Sequence, residues 1–284
     1  RSAALDTRAF LLSSADTAAK QPATSGTCWY TRMRRWENVM PFKVDRDAPT
    51  PISRDARPTF RATTASTMED WKCTRPDTTR MRFRTHGPLD VRVTFPTEQD
   101  KAAWRAAGSP ELVPGDGPST TTYDRGSHLV NPVIGSHEIE WKTIADLPAT
   151  KHELDRHLRK LWREDLDGGA HGYAAARDFC QYVFVSAWDL FGVPTTPDTR
   201  SSLYRILADC PSIRATEGVR DRMGRPGVAL TYDGVRLTVD PDTAQLLVFE
   251  QLPTADGRGR HAATEYVAYE RHGWVNKIGA VPGP

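Results

Sequence analysis

Two histidine-bearing stretches are the first candidates for chemistry in this chain: SHEIEW from Ser136 and KHELDRHLRKLW from Lys151. A zinc protease of the HExxH type needs imidazoles at i and i+4, on one helix face. Here His152-Glu153 is followed by His157, at i+5. That spacing turns the second ring roughly 140° away from the first. His128 and His137 fall in loop sequence and read as surface or structural histidines. Ser186 sits in SAWDLFG, outside any GxSxG nucleophile elbow. Asp233, Asp240 and Asp242 cluster, but in turn sequences, where Asp serves backbone hydrogen bonds. No metal spacing or cofactor motif emerges, so no cofactor is expected. A hydrolase with an unrecognised carboxylate site stays open as the alternative.

The cysteines and tryptophans are the other chemically distinctive residues. Cys28, Cys73, Cys180 and Cys210 lie in no CxxC, and no histidine stands at zinc-finger spacing from them. An even, widely spaced set suits two disulfides in an oxidising compartment, and four cysteines allow three pairings. Cys28 and Cys73 share the N-terminal strand-like region, and Cys180 and Cys210 share helical segments, which favours Cys28–Cys73 with Cys180–Cys210. The alternative is four buried free thiols in a reducing compartment. Eight tryptophans serve core packing by default, or line a ligand groove.

Composition bounds the rest. A chain of this length buries roughly 75% of its unfolded surface, so a full core needs no metal. Lys and Arg number 38 against 36 Asp and Glu, a net +2, which argues against a dedicated nucleic-acid binder. Basic residues gather between Arg32 and Arg84, as a solvated strand face or a polyanion site. No apolar run approaches the roughly 20 residues that span a bilayer, and no signal peptide is visible. The chain opens on Arg1, and an anchor upstream is compatible with that.

Positioning elements follow from periodicity. Ser2–Lys20 is Ala/Leu-rich without Gly or Pro and reads as a helix. GTCWYTRMRRWE, TFRATTASTMEDWKC and TTRMRFRTHG read as strands, the first interrupted from the second by Pro-rich DAPTPISRDARP. PTEQDKAAWRAAG starts on a capping-box pattern at Thr97. Residues 109–136 read as a long loop. Three helices follow: one with Leu154, Leu158 and Leu161 on one face, one ending in the apolar FCQYVFVSAWDLFG, one starting at Thr196-Pro197. DRMGRPGVALTYDGVRLTVDPDTAQLLVFEQ, from Asp221 to Gln251, is a ribbon of strands, with Asp233-Gly234 as a strong hairpin signal. Strands joined by hairpins on either side of helices predict α+β class with an antiparallel sheet.

The landmarks AFLLSSADTAAKQP, GTCWYTRMRRW, STMEDWKCTRPDTTRMRF, HEIEWKTIADLPAT, SSLYRILADCPSIRATEGVRDRMGRPGVALTY and LTVDPDTAQLLVFEQ occur in a distinctive order. In this the chain resembles an uncharacterised actinobacterial family of membrane-anchored extracellular proteins, most closely from Ser201 to Glu250. Members often carry one transmembrane helix upstream and sit beside sigma-factor genes. Departures are Cys28 and Cys73, where the family has aromatic or aliphatic residues, Ala244-Gln245 in place of Gly-Arg, and Pro148–Lys151 in place of a PTDP element. The DPDT turn also resembles lipoprotein carriers and sigma-factor regulator domains, which form an open antiparallel half-barrel wrapped on helices around an apolar cavity.

These resemblances imply one extracytoplasmic domain over 1–284: an N-terminal helix and strands (1–108), a loop (109–136), a helical middle (137–211) and C-terminal antiparallel strands (212–279). The implied function is non-enzymatic binding or sensing of a lipid, a lipopeptide or an envelope protein partner, in envelope signalling, with membrane attachment through an anchor outside this sequence. A structural cell-surface module is the third reading. In a half-barrel, alternate strand residues face the concave side. The candidate groove is therefore Leu230, Tyr232, Leu237, Val239 and Val248, with Trp29, Trp71 and Phe83 from the N-terminal strands; packing of these residues against the helix 173–191 is the competing role. Non-reducing peptide mapping checks the pairing: Cys28–Cys73 and Cys180–Cys210 are expected, and free thiols or crossed pairs overturn it. The Cys180–Cys210 bond should contribute about 3–4 kcal/mol by restricting the unfolded chain.

Overall fold

Alternating apolar and polar residues at strand spacing, punctuated by Asp-Gly and Asp-Pro turns, build one long antiparallel sheet. The structure is a computed structural model that describes residues 5–39, 42–43, 50–51, 60–74, 81–113, 117–123, 131–170, 176, 178–252 and 265–283. Helix α1 (Thr7–Ala19) precedes strand β1 (Cys28–Asn38), the short pair β2 (Phe42–Lys43) and β3 (Thr50–Pro51), then β4 (Thr63–Thr74) and β5 (Met81–Thr94). Helix α2 (Glu98–Ala106), β6 (Ser119–Tyr123) and the small hairpin β7 (Val133–Ile134) and β8 (His137–Glu138) follow. A 3-10 helix (Trp141–Asp146) leads into α3 (Lys151–Asp167), α4 (Phe179–Gly192) and α5 (Pro197–Leu207). The chain closes with β9 (Arg214–Arg220), β10 (Pro226–Tyr232), β11 (Val235–Val239), β12 (Leu246–Gln251) and β13 (Tyr266–Val275). The class is α+β, and the nine-stranded sheet is open, in the order β6-β5-β4-β1-β13-β12-β11-β10-β9. The segment 109–136, read as a loop, thus supplies an edge strand: Thr-rich STTTY pairs with β5. Most of the Pro-rich stretch lies outside the described residues.

Local chemistry sets the boundaries. Asp6, Thr97, Thr150, Asp178 and Thr196 each cap a helix, the side-chain oxygen accepting from a backbone N–H three residues on. The β10–β11 hairpin turns through Asp233 and Gly234, both at positive φ, as a two-residue turn of this type requires. In the β11–β12 turn Asp240 Oδ1 accepts from the Asp242 and Thr243 amides. Ala244 closes that turn at φ +55, a conformation glycine adopts without penalty.

The main core lies on the helix-facing side of the sheet. Leu11, Leu158, Val183, Phe184, Leu190, Leu203, Leu207, Leu230, Leu237 and Phe249 belong to one buried cluster. On the other face, Cys28, Tyr30, Trp71, Cys73 and Val275 form a smaller cluster. The basic excess of the N-terminal strands is an ion-paired face: Arg32 bonds Glu69 at 3.0 Å and Glu270 at 2.7 Å. Both disulfides are present. Cys28–Cys73 joins directly opposed residues of β1 and β4, and Cys180–Cys210 ties α4 to the end of α5. They fit an oxidising, extracellular environment. Among the described residues no helix is long and apolar enough to cross a membrane.

The SHEIEW histidine belongs to a structural network. Asp165 of α3, 2% exposed, accepts from the Ser136 amide at 3.2 Å and from the Ser136 hydroxyl. It also accepts from the Tyr182 hydroxyl at 2.8 Å and lies 3.2 Å from His137 Nε2. Serine and histidine both converge on the carboxylate, so no relay from base to nucleophile exists. Gly135, at φ +62, brings the backbone against Asp165 where a Cβ would collide. Burial pushes this carboxyl up, but the bonds from Ser136 and Tyr182 outweigh it and hold it below the usual range. Its stabilising contribution is therefore complete at neutral pH and fades as pH falls through the acidic carboxylate range. Asp165→Ala should cost about 2–4 kcal/mol in denaturant unfolding at pH 7, with the gap from wild type narrowing below about pH 4.

Candidate functional site

Strand pairing places Asp70 and Lys72 of β4 opposite Thr31 and Trp29 of β1, which face His272 and Trp274 of β13. Lys72 also opposes Phe83 of β5, and Asp70 opposes Thr85. All lie on the helix-facing side. Above them run the last turn of α4, with Asp189 and Gly192, and the first turn of α5, with Arg200. The Trp29 indole donates to the Gly192 carbonyl at 3.3 Å, which fixes this junction on β1. Charged and aromatic side chains of four adjacent strands, β5, β4, β1 and β13, thus meet in a half-buried crevice beneath the α4–α5 connection. Trp29, Asp70, Tyr269 and, from the 3-10 helix, Trp141 are buried, while Lys72, Phe83, Asp189, Arg200, His272 and Trp274 are half-buried.

Aromatic walls surround the charges. Lys72 Nζ stands 5.2 Å from the Trp141 ring centre and 6.0 Å from that of Phe83, within range of cation–π attraction. Trp29 lies 5.5 Å from the His272 ring and 5.4 Å, edge-on, from Trp274. Trp188 donates to the Tyr269 hydroxyl at 2.7 Å and stacks on Phe249.

Poor solvation perturbs every ionisable group in the crevice. Burial pushes Asp189 up to about 7, with Lys72 pulling the other way. Burial raises Asp70 too, against the charge of Lys72 and the Thr85 hydroxyl. Lys72 is lowered by burial, against the attraction of Asp70 and Asp189. His272 falls to about 4, through burial first and the charge of Arg200 second, so its imidazole is neutral at pH 7. Among the described residues Lys72, Asp189, Arg200 and His272 have neither a side-chain hydrogen bond nor an ion pair, and Arg200 Nε is closed off from solvent without a partner. A folded chain ordinarily pairs such groups, because an unmatched buried donor or charge is costly.

The expected groove residues divide between places. Trp29 and Phe83 line this crevice. Leu230, Leu237 and Val239, each 0% exposed, pack into the helix-covered core. Tyr232 sits at the rim of that core, donating to Asp178 at 2.8 Å. Val248 faces the opposite side with Leu247, Tyr266 and Ala268. A register shift between Thr238 and Val239 pairs Leu237 with Phe249, so Phe249 takes the core position that strict alternation assigns to Val248. Trp71 also faces the other side, its indole donating to the Ala280 carbonyl at 2.7 Å. Lys72, Asp189, Arg200 and His272 escaped the sequence reading. Signals existed for two of the four: Asp189 interrupts the apolar VFVSAWDLFG, and Lys72 shares one face of a strand with Asp70.

A separate depression of about 510 Å³ lies between the start of α1 and β9. Its Arg214 already donates to the Pro211 and Ile213 carbonyls, so it holds less unmatched chemistry than the crevice. Among the described residues no group of three or more His, Cys, Asp or Glu could hold a metal ion. The chain matches no protein-family model, no curated protein and no solved structure.

The raised carboxyl of Asp189 has a signed consequence. Between about pH 4 and 7 the folded protein holds a proton on Asp189 that the unfolded chain has released. This contribution is therefore lost as pH rises through that window. Asp189→Asn should stabilise the protein relative to wild type at pH 8 and lose that advantage near pH 4, as read by paired thermal melts. An unchanged difference between the two pH values overturns the assignment.

Proposed function

We propose that this chain is an extracytoplasmic, non-catalytic binding domain that takes a lipid, lipopeptide or envelope protein partner in the crevice beneath the α4–α5 connection. One observation carries the reading: the rings of Trp29, Trp141 and Phe83 lie against His272 and Lys72, which like Asp189 and Arg200 have no side-chain hydrogen bond or ion pair among the described residues. Sites of this kind combine apolar lining with a few unpaired polar groups that orient the ligand. The two disulfides support an extracellular setting. The open antiparallel sheet packed on helices is compatible with a half-barrel of the lipoprotein-carrier type. The resemblance to membrane-anchored proteins supports attachment through a segment outside this sequence and a role in envelope signalling. Helices fill the concave wall over the C-terminal ribbon, so the binding surface moves to the N-terminal half of the sheet.

A secreted hydrolase is the second reading, favoured by two carboxyls with raised pKa, Asp70 and Asp189, on either side of Lys72. Raised carboxyls are what general acids need near neutral pH. Native mass spectrometry of protein purified from its own envelope should reveal a bound ligand. Lys72→Met should weaken binding of a fluorescent fatty-acid probe about tenfold, the scale of one charged hydrogen bond, with the fold intact by circular dichroism. Ester or glycoside turnover by the wild type that disappears in Asp189→Asn would favour the hydrolase and reject the binding domain.

A further inference from the structure

Arg200 is the least accounted-for charge among the described residues. It stands on the first turn of α5, half-buried, with its Nε shut off from solvent and unpartnered. Other half-buried arginines are matched: Arg32 with Glu69 and Glu270, Arg225 with Asp221, Arg236 with Glu250. The groups that act on Arg200, or on which it acts, are Tyr204 and His272. Neither supplies a negative charge, because the Tyr204 hydroxyl donates to the Ala244 carbonyl and His272 is neutral. Burial lowers the guanidinium's proton affinity, the mark of a cation without its counter-ion.

A guanidinium presents a planar fork of N–H groups that matches carboxylate and phosphate oxygens two at a time. The start of a helix adds a favourable field for an anion. Beside Arg200, His272 leads to Trp29 and Trp274, which offer flat apolar surface. We infer that the ligand of the crevice carries an anionic group, a carboxylate or a phosphate, which docks on Arg200 while its apolar part lies against Trp29 and Trp274. This rests on the binding reading above and specifies the class of ligand.

The test uses the disulfide-intact chain and calorimetric titration below the micelle concentration of each probe. The probes are dodecanoate, dodecyl phosphate, neutral 1-O-dodecylglycerol and inorganic phosphate. The wild type should prefer an anionic probe to the neutral one by about tenfold or more. Arg200→Met should erase that preference, leave the neutral probe's affinity unchanged and raise the melting temperature of the unliganded protein, because a buried unpaired charge is gone. Arg200→Lys should keep part of the preference. A preference that survives in Arg200→Met, or a melting temperature that falls by several degrees, overturns the proposal and makes Arg200 structural. Equal binding of neutral and anionic probes also overturns it but leaves the binding domain standing; no binding of any probe removes both. Inorganic phosphate bound as tightly as dodecyl phosphate supports the anion site and identifies its source as a free anion rather than a headgroup.

Discussion

The antiparallel seam between β1 and β13 holds the molecule together. It splices the N-terminal strands β4, β5 and β6 to the C-terminal ribbon β9–β12, and pairs residues from opposite ends of the chain, such as Trp29 with Trp274. Without this seam each half would be a smaller sheet with an exposed edge, a template for unwanted pairing. The loop closed by the seam is nearly the whole chain, but its entropy grows only with the logarithm of length. The cost falls on folding speed, since non-local pairing delays the transition state. The Cys28–Cys73 bond fixes β1 on its other neighbour at the same end of the strand.

The seam also explains where the crevice lies. Helices α4 and α5 cover the C-terminal ribbon, and the Cys180–Cys210 bond holds them together. Their connection ends over β1, where Trp29 bonds Gly192. Strands β4 and β5 reach beyond that line, so the charged and aromatic residues of Asp70, Lys72 and Phe83 meet the border of the helical layer instead of its middle. Half-burial at this border strips solvent from the ionisable groups without giving them protein partners. This condition costs stability, and under the proposed binding role an external ligand would supply the missing partners.

Two polar clusters show how differently a buried carboxylate can be used. Asp165 is surrounded by donors and pinned in its charged form, which anchors the β7–β8 hairpin to α3. Asp189 has no donor and is pushed toward neutrality by burial. Hydrogen bonding to the charged form opposes desolvation in one case and is missing in the other. The SHEIEW stretch, whose His137 first suggests chemistry, thus belongs to the scaffold, and the quieter Asp70 and Lys72 of β4 belong to the crevice.

Local information in the chain was enough to determine the helix starts at Thr97 and Thr196, the Asp233-Gly234 hairpin and the antiparallel α+β class, because caps, turns and period-two alternation act within a few residues; the cysteine pairing was favoured by which cysteines share a region, and closes spans of 45 and 30 residues. It did not reveal β6, whose polar STTTY becomes a strand by pairing with β5, nor the register shift that exchanges Val248 for Phe249. Of the eight groove candidates, Trp29 and Phe83 reached the crevice; Leu230, Leu237 and Val239 were claimed by helices α4 and α5, and Trp71 by the opposite face. Lys72, Asp189, Arg200 and His272 come from β4, α4, α5 and β13, with no spacing between them that a motif could encode. Only the non-local register of the sheet and the docking of the α4–α5 connection bring them into one poorly solvated space, because burial and partner geometry are properties of the assembled core.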